Sequence, residues 1–563
     1  MISSDNRWIL YPEKQELSTK IAKKLNISSS LAQILLNRNI RSLEQASWFL
    51  GQSIDSSFNF PIQDLKKAEL VVKKILQSNL RVLVYGDYDA DGVTSTAIMV
   101  SVFKQLGINV EYLIPNRFKH GYGLTKKAFT EIEKFEPDVL ITLDCGITNF
   151  AEISYLKEKY SLDVMIFDHH EIPDTLPPAN VILNPMSLDS DHPLRSLCTV
   201  GIVYKFFEYF LTTIDNQILL EKELDLVAIG TVADVANLND ENRVMTRHGL
   251  EILSKKDRPG LKALYYELNF KKEVFDARDI GFRIAPPLNA AGRIADASLG
   301  VELLLAKNNK DAYALAKKLN SLNLDRKNIC LEMYEDALTM ISKEESQKII
   351  VLFNEKWHTG VIGIVASRVS EKMKCPTIVI GYDGLNYKGS VRSYGSVNIF
   401  EILKKCKQYF LNFGGHTQAA GFSIAYDQIS KFKNALFQIA KVEIDDNALK
   451  KSIDIDLGVD PKQITLKFAK ELSRCEPYGK GNPIPVFYTD QLRPIECKLV
   501  GNGEHIKAVL ANQDESVIVD AIGFGLKEKF NILKQKRIQI VFNLEINTWQ
   551  GRSTPQLHLL DIK

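Results

Sequence analysis

The sequence lacks the marks of a secreted or membrane-bound protein. Its seven cysteines are scattered and include no Cys-x-x-Cys pair. This spacing supports neither a disulfide framework nor a zinc ribbon, so we expect reduced thiols. The start, MISSDNRWILYPEK, has no apolar core of signal-peptide type, and no apolar run is long enough to span a bilayer. We therefore expect a cytoplasmic protein with no membrane contact.

Two further absences narrow the function. No Gly-x-x-x-x-Gly-Lys-[Ser/Thr] loop is present, so ATP-driven unwinding is not expected of this chain. Internal repeats and low-complexity tracts are also missing, and a repeat architecture is not expected.

The net charge of +2 is close to neutral. It neither requires nor excludes nucleic acid as a partner, because a basic groove can lie within a neutral total.

What is present predicts several domains. A chain of 563 residues is too long to fold around one hydrophobic core, and length alone suggests about three or four domains. Between residues 81 and 185, strand-like and helix-like segments alternate, which predicts a doubly wound parallel α/β sheet. Residues 298–342 lack proline and are rich in Leu, Ala and Lys, as expected for a connecting helix or helix pair. A second α/β unit begins near residue 348, and short β-rich runs after residue 451 predict a small β-barrel.

Three aspartates lie at alternate positions in VYGDYDADGVTSTAI, residues 84–98: Asp87, Asp89 and Asp91. The pattern resembles the start of an EF-hand, but that calcium loop needs a Glu at its twelfth position. Ile98 stands there, and a strand-like run rather than a helix precedes the aspartates, so we reject calcium. A solvated acidic turn is the other alternative. The apolar segments on both sides favour a bound cation, because crowded carboxylates repel one another.

Other predicted strands also end in metal-ligand residue types. LITLDCG ends in Asp144, and VMIFDHH ends in Asp168, His169 and His170. The carboxyl ends of neighbouring parallel strands converge on one crevice. Asp234 lies in the apolar run AIGTVADV, where a buried carboxylate needs a partner. Each residue alone could be a helix cap or a core residue, but together they offer the mixed oxygen and nitrogen ligands that suit manganese or magnesium.

This ligand set indicates a reaction class. Two divalent ions about 3.5 to 4 Å apart lower the pKa of a bridging water and stabilise an oxyanion, which suits in-line displacement at phosphorus. The residues therefore predict hydrolysis of a phosphoester or a phosphoanhydride.

The motifs resemble a known family. GDYDADG, LDCG, FDHH and TVADV, in this order, resemble the four metal motifs of the DHH phosphoesterase superfamily. Within it, the chain is similar to the single-strand-specific exonucleases from about residue 50 onward. The further segments that carry this resemblance are PNRFKHGYGL (115–124), LNAAGR (288–293), LNLDRKN (322–328), WHTGVIGIVASR (357–368), GSVRS (389–393), GGHTQAAGF (414–422) and PYGKGNPIPVF (477–487).

The resemblance implies a set of residues that bind two manganese or magnesium ions: Asp87, Asp89, Asp91, Asp144, His169 and Asp234. It implies that Asp144 bridges the ions and that Asp87 is the least certain ligand. His170 is expected to face the scissile phosphate, where a cation stabilises developing charge. Asp168 is expected to orient its neighbours.

The resemblance also implies a substrate pocket. Arg117, Arg293 and Arg392, with Ser390, match positions that hold a 5′-terminal phosphate, which the planar guanidinium binds bidentately. The backbone of Gly414, Gly415 and His416 could approach a phosphate, with a plain tight turn as the alternative. In the C-terminal domain, Tyr478 and Phe487 could stack on bases or belong to the core. The chain departs from the family pattern at Pro287 and in residues 197–201.

The resemblance divides the chain into five expected parts. They are a helical extension (1–50), a DHH catalytic domain (51–300), a connecting helix (301–345), a DHH-associated substrate-binding domain (346–445) and an OB-fold domain (446–563).

The expected activity is metal-dependent 5′-to-3′ hydrolysis of single-stranded DNA to mononucleotides, in DNA repair and recombination. A monomer is expected, with a helicase and a single-strand-binding protein as partners. One rival is a DHH enzyme acting on oligoribonucleotides, cyclic dinucleotides or pyrophosphate, against which the OB-like C-terminus argues. The other is a non-catalytic DNA-binding scaffold, which predicts lost ligands.

Overall fold

The computed structural model describes residues 6–563 except 52–53, 55–59, 118, 122, 217, 342–347 and 536. The expected boundary between residues 345 and 346 lies outside the described residues. So do Phe118 and Tyr122 of the PNRFKHGYGL motif. Within the described part of the chain, no helix is both long and apolar enough to cross a membrane. All seven cysteines are free thiols, and six of them are buried.

A five-stranded, all-parallel sheet forms the first α/β unit, in the order β3-β2-β4-β5-β6. Every residue of β2 and β4 is buried, as expected where helices cover both faces of a parallel sheet. This confirms the predicted α/β class. The elements of this unit are α4 (Ile62–Ser78), β2 (Val82–Gly86), α5 (Ala90–Gln105), β3 (Val110–Leu113), α6 (Phe129–Lys134), β4 (Val139–Leu143), α7 (Phe150–Tyr160), β5 (Asp163–Phe167) and β6 (Val181–Leu183).

Helices follow the last strand of this sheet in the chain and lead to the second α/β unit. They are α8 (Thr199–Thr213), α9 (Leu224–Ala233), α10 (Asp240–Lys255), α11 (Pro259–Glu267), α12 (Ala277–Asp279), α13 (Ala285–Ile294), α14 (Ser298–Leu305) and α15 (Asn309–Met340). The predicted connector is therefore the pair α14 and α15. One continuous core joins α5, α8 and α9 to the sheet.

The second α/β unit is a mixed sheet in the order β10-β11-β9-β8-β7. Only β7 and β8 pair in parallel, and the remaining pairs are antiparallel. Its elements are β7 (Ile350–Phe353), α16 (Ile362–Met373), β8 (Thr377–Tyr382), β9 (Tyr387–Arg392), α17 (Ile399–Lys404), β10 (Phe410–His416), β11 (Ala419–Ile424) and α18 (Tyr426–Glu443).

The C-terminal domain is a seven-stranded sheet in the order β13-β14-β18-β19-β17-β16-β15. Phe487 is 1% exposed and packs on Phe468 and Phe542, so it belongs to the core and cannot stack on bases. The elements are β12 (Ser452–Ile455), β13 (Leu457–Gly458), α19 (Leu466–Leu472), β14 (Phe487–Thr489), β15 (Arg493–Val500), β16 (His505–Ala511), β17 (Ile518–Gly523), β18 (Ile540–Trp549) and β19 (Arg552–Ile562).

The N-terminal segment packs on this same domain. Strand β1 (Arg7–Leu10) pairs in parallel with β12. Helices α1 (Gln15–Leu25), α2 (Ser29–Asn37) and α3 (Leu43–Leu50) share one apolar core with the C-terminal sheet. The first and last parts of the chain are thus one structural unit.

Candidate metal centre and nucleic-acid cleft

The predicted metal ligands lie at the carboxyl ends of β2, β4 and β5 and at the end of α9. The ligand atoms of Asp91, His169 and Asp234 all lie within 4.8 Å of one another. Those of Asp87, Asp89 and Asp144 form a second group of the same size. A third group, Asp144 with His169 and His170, shares a residue with each of the other two. The structure therefore brings all six predicted ligands together, with Asp89 and Asp91 in different groups.

Asp144 and His169 connect the two groups. His169 Nε2 lies 3.1 Å from Asp144 Oδ1, 3.8 Å from Asp234 Oδ2 and 4.0 Å from Asp91 Oδ2. Asp144 holds a positive φ of 63°, which is uncommon for a residue with a side chain and typical of functional sites. A carboxylate in this position fits the expected bridging role.

The electrostatics of the centre favour a divalent cation. Burial and the charge of Asp89 raise the pKa of Asp91 to about 7, and burial with Asp91 raises the pKa of Asp234 to about 8. Burial also raises the pKa values of Asp87 and Asp144, to which Asp89 adds. Asp87 Oδ1 is buried and accepts no hydrogen bond from any described residue. Buried carboxylates without partners are costly, and a cation would offset that cost.

The two neighbouring histidines differ in charge state. Burial and the charge of His170 lower the pKa of His169 to about 4, so its imidazole is neutral, as a metal ligand must be. Burial alone would lower the pKa of His170, but its hydrogen bond and ion pair with Asp168 raise it to about 9. His170 Nδ1 lies 2.6 Å from Asp168 Oδ1, and Asp168 also accepts from the backbone N–H of Ile147. His170 is therefore a cation held in place by Asp168.

Sequence reasoning missed the backbone groups that hold Asp91. The amides of Thr199 and Val200, at the start of α8, donate to the two carboxylate oxygens of Asp91 at 2.7 and 2.9 Å. The Thr199 hydroxyl donates to Asp144 at 3.3 Å. Helix N-termini carry unpaired N–H groups that suit an anion. Residues 197–201, which depart from the family pattern, therefore still support the centre.

The loop that carries the aspartates is fixed by close packing. Asp89 caps α5 by accepting from the amides of Asp91 and Gly92. A Cβ on Gly92 would lie 2.4 Å from the carbonyl oxygen of Asp87, so glycine is required at this position. The side chain of Asn289, in the LNAAGR motif, accepts from the backbone N–H of Ala90 at 2.8 Å. The motif identified Asn289, but sequence reasoning gave it no role.

A cleft of about 620 Å³ lies between the two α/β units, and it adjoins the metal loop through Tyr88. Its lining includes five positive side chains: Arg117, Lys127, Arg293, Lys388 and Arg392. The carboxylate of Asp383 also lines the cleft and pairs with Lys388 at 3.7 Å. In the described part of the chain, the three arginines make no ion pair with a carboxylate. Burial lowers the pKa of Arg293, and so do the charges of Arg117 and Arg326. The three arginines can therefore bind an anion.

The structure divides the remaining predicted substrate residues into two sets. Ser390 and Gly414 line the cleft, and Ser390 accepts from Arg392 Nη1 at 3.2 Å. Gly415 and His416 do not line it. They lie at the end of β10, paired with Ala420 and Ala419, so the segment is a strand rather than a tight turn.

Three family models match separate parts of the chain. The DHH family N-terminal domain matches residues 81–231, the DHHA1 domain matches residues 346–442, and the RecJ OB domain matches residues 455–561.

Named relatives and a solved structure match nearly the whole chain. The single-stranded-DNA-specific exonuclease RecJ of Bacillus subtilis is 33% identical, over 100% of this chain and 71% of the relative. That of Haemophilus influenzae is 35% identical, over 88% and 89%. A crystal structure of RecJ with Mn²⁺ from Thermus thermophilus covers 99% of this chain and 79% of its own, with a TM-score of 0.84 and 27% identity.

Proposed function

The chain belongs to the RecJ family of single-stranded-DNA-specific exonucleases, and we propose that it degrades single-stranded DNA from the 5′ end to mononucleotides. The observation that carries this proposal is that the two ligand groups adjoin a cleft with several cations, which Tyr88 of the aspartate loop lines. Mn²⁺ or Mg²⁺ is the cofactor. The enzyme acts in DNA repair and recombination, as is typical of this family.

Asp91, His169 and Asp234 would hold one ion and Asp87 and Asp89 the other, with Asp144 close to both sets of ligands, because these groups offer their ligand atoms together. When bound, the two ions supply a water of lowered pKa and stabilise charge on the scissile phosphate. His170 adds a positive charge and an N–H donor beside them. Asp168 acts as a positioning residue, since it fixes the ring of His170 and carries its counter-charge.

The strand end is proposed to enter the cleft. Arg117, Arg293 and Arg392 bind the 5′-terminal phosphate, and Ser390 orients Arg392. When the terminal phosphate binds there, the first phosphodiester bond of the strand lies on the side of Tyr88 and the aspartate loop. This geometry would make the enzyme an exonuclease of 5′-to-3′ polarity.

The C-terminal domain is proposed to track the strand beyond the cleft, as OB folds do through stacking and backbone charge. A small substrate would give this domain no role, which disfavours the small-substrate rival. The scaffold rival predicts lost ligands, whereas all six are present and close together. We further propose that the enzyme is a monomer, that a helicase and a single-strand-binding protein supply its substrate, and that it is cytoplasmic.

The test uses purified protein with Mn²⁺ and single strands labelled at the 5′ or the 3′ end, with duplexes and cyclic dinucleotides alongside. We expect immediate release of the 5′ label as a mononucleotide from single strands only, and none with the Asp144→Asn variant. Early release of the 3′ label would reject the polarity. Turnover confined to cyclic dinucleotides, or binding without cleavage, would reject the activity.

A further inference from the structure

A second cavity, of about 650 Å³, lies at the far end of the two helices that reach the metal centre. Helix α5 starts at the aspartate loop and ends at Gln105, which lines this cavity with Lys104. Helix α9 runs the other way, from the cavity-lining Asp225 to Asp234. Thirteen residues of helix separate Asp91 from Lys104, or about 20 Å, so this cavity is separate from the catalytic cleft.

The floor of the cavity is a buried polar network. Arg258 donates to Asp225 at 2.7 and 2.8 Å and to Glu223 at 2.8 Å. The hydroxyl of Ser101 donates to Glu223 at 3.1 Å. Burial raises the pKa of Asp225 although Arg258 pairs with it. The Leu226 amide also donates to Asp225, so each of the four carboxylate oxygens accepts at least one hydrogen bond. A carboxylate oxygen can accept two, and the lone pairs that remain are the acceptor capacity of the floor.

Tyr265 gives an independent indication of a ligand. Its side chain is 3% exposed, and its hydroxyl has no hydrogen-bond partner among the described residues. Tyr265 lines the cavity together with Asp225, and burial and the charge of Asp225 raise the pKa of its hydroxyl. A buried hydroxyl without a partner costs about 1–3 kcal/mol. In a cavity wide enough for a ligand, such a hydroxyl indicates that a polar partner belongs there.

The mouth and the walls differ from the floor. Lys104, Lys222 and Lys307 are exposed at the mouth, and in the described part of the chain none of them pairs with a carboxylate. Asp257 is also exposed and lines the cavity, but the three lysines outnumber it, and this excess of positive charge favours an anion. The walls between mouth and floor are apolar and include Leu253, Leu261 and Leu304. The cavity is thus cationic outside, apolar in the middle and hydrogen-bonding inside.

We propose that this cavity binds a guanine nucleotide, with its phosphate at the three lysines and its base between the leucines. The N–H groups of the guanine edge donate to the lone pairs that remain on the carboxylates of Glu223 and Asp225, and the Tyr265 hydroxyl forms a hydrogen bond with the base. A nucleotide combines the anion, the flat apolar body and the paired donors that the three zones require. The volume lies within the range of about 300–1,000 Å³ that is usual for small-ligand sites.

The test measures binding of labelled dGMP by equilibrium dialysis of the full chain in EDTA. An unlabelled 5′-phosphorylated single strand at saturation fills the catalytic cleft, and a separate titration of that strand checks its binding. A failure of strand binding would concern the proposed function and is therefore distinguished from a failure at this cavity. We expect one remaining saturable dGMP site, for which ribose 5-phosphate does not compete because it lacks the base.

Two variants test the placement of the ligand. The triple variant Lys104→Glu, Lys222→Glu, Lys307→Glu is expected to bind dGMP at least about tenfold more weakly, because charge repulsion replaces attraction. Its matched control changes three exposed lysines of α15 outside the cavity, Lys310→Glu, Lys317→Glu and Lys318→Glu, and should bind normally. Tyr265→Phe should bind about fivefold more weakly while the ligand-free protein melts higher, since an unpartnered hydroxyl is removed.

Three results would overturn the proposal. One is the absence of saturable dGMP binding once the cleft is filled. Another is equal affinity of the lysine variant and its control. The third is unchanged dGMP binding by Tyr265→Phe, which would show that the base does not bind in this cavity.

Discussion

Two adjacent histidines take opposite charge states because their contacts differ. His169 is surrounded by carboxylates, yet burial and the cation beside it keep its imidazole neutral. His170 stays protonated because Asp168, which is 1% exposed, pairs with it directly. One residue can therefore serve as a ligand while the next serves as a cation. The three polar side chains of the FDHH motif thus differ in role: Asp168 is the counter-charge, His169 the neutral imidazole and His170 the cation.

The His170→Ala variant is expected to lower kcat by about 100–1,000-fold, because a charge that stabilises the transition state is lost. Asp168→Asn should lower kcat by about 10–100-fold, as the loss of a positioning partner does. Neither variant should change the Mn²⁺ concentration that gives half-maximal rate. Asp234→Asn is the contrast, since it removes a proposed ligand and should raise that concentration. Mn²⁺ titrations of the rate separate the roles, and a shift in all three variants would contradict them.

Arg392 provides a second test at the scale of single residues. Its guanidinium has no carboxylate partner in the described part of the chain and lines the cleft. A charge-assisted contact is worth about 1.5–3 kcal/mol, so Arg392→Ala should reduce the preference for 5′-phosphorylated over 5′-hydroxyl strands by about 10–100-fold. The preference is measured as the ratio of kcat/KM values for the two strands.

The control for Arg392 is Arg493→Ala. This residue forms an exposed ion pair with Glu515 in the C-terminal domain, and its removal should leave the ratio unchanged. An unchanged ratio in Arg392→Ala as well would place the terminal phosphate elsewhere.

At the scale of elements, close contact between α13 and the metal loop sets the site. A Cβ on Gly292 would lie 2.3 Å from the carbonyl oxygen of Tyr88. The same helix holds the loop through Asn289 and sends Arg293 into the cleft. Arg293 Nη1 then reaches the carbonyl of Gly360 in the second lobe at 3.2 Å. One helix therefore fixes the spacing between the proposed metal centre and the proposed phosphate pocket.

Gly292→Ala is expected to destabilise the protein by about 1–3 kcal/mol, as overpacking does, and to raise the Mn²⁺ requirement because the aspartate loop must shift. Thermal melting and Mn²⁺ titration measure both effects. Gly281→Ala is the matched control, since its Cβ would meet only Val232, at 3.9 Å. A melting temperature of Gly292→Ala equal to that of the control would contradict the close-packing argument.

At the scale of the whole molecule, Arg243 joins three separate segments. It is 1% exposed on α10, and its guanidinium donates to the carbonyls of Phe49, Arg474, Cys475 and Glu476 at 2.6 to 3.2 Å. It also lies 3.9 Å from the ring centroid of Phe49. The catalytic unit, the N-terminal helices and the C-terminal domain therefore meet at a single side chain.

Arg243→Met should leave several buried carbonyls unpaired and destabilise the protein by about 3 kcal/mol. The expected result is a lower Tm and faster limited proteolysis between the domains. Arg278→Met is the control, because it removes an exposed ion pair with Glu545 across the same interface, worth about 1 kcal/mol or less. Equal melting of the two variants would show that the buried contacts of Arg243 do not hold the domains together.

The sequence alone determined the parallel sheet and the chemistry of its edge. The apolar runs that end in Asp144 and in Asp168 can be recognised as strands from the local sequence. The carboxyl ends of parallel strands lie on the same side of the sheet, so these two residues could be placed together without knowledge of the tertiary contacts. The strands expected from the sequence, at residues 81–86, 110–114, 138–143, 163–167 and 181–183, lie within one residue of β2 to β6. The ligand residue types were also readable, since carboxylates and a histidine in apolar surroundings require a partner.

Only the tertiary structure decided how distant segments meet. The support of Asp91 by the amides of α8, the contact of Gly292 with Tyr88 and the pairing of β1 with β12 depend on residues far apart in sequence. The same holds for Phe487, whose burial follows from the sheet around it. Periodicity reports which face of an element is buried, whereas the partner of that face is set by packing across the whole chain.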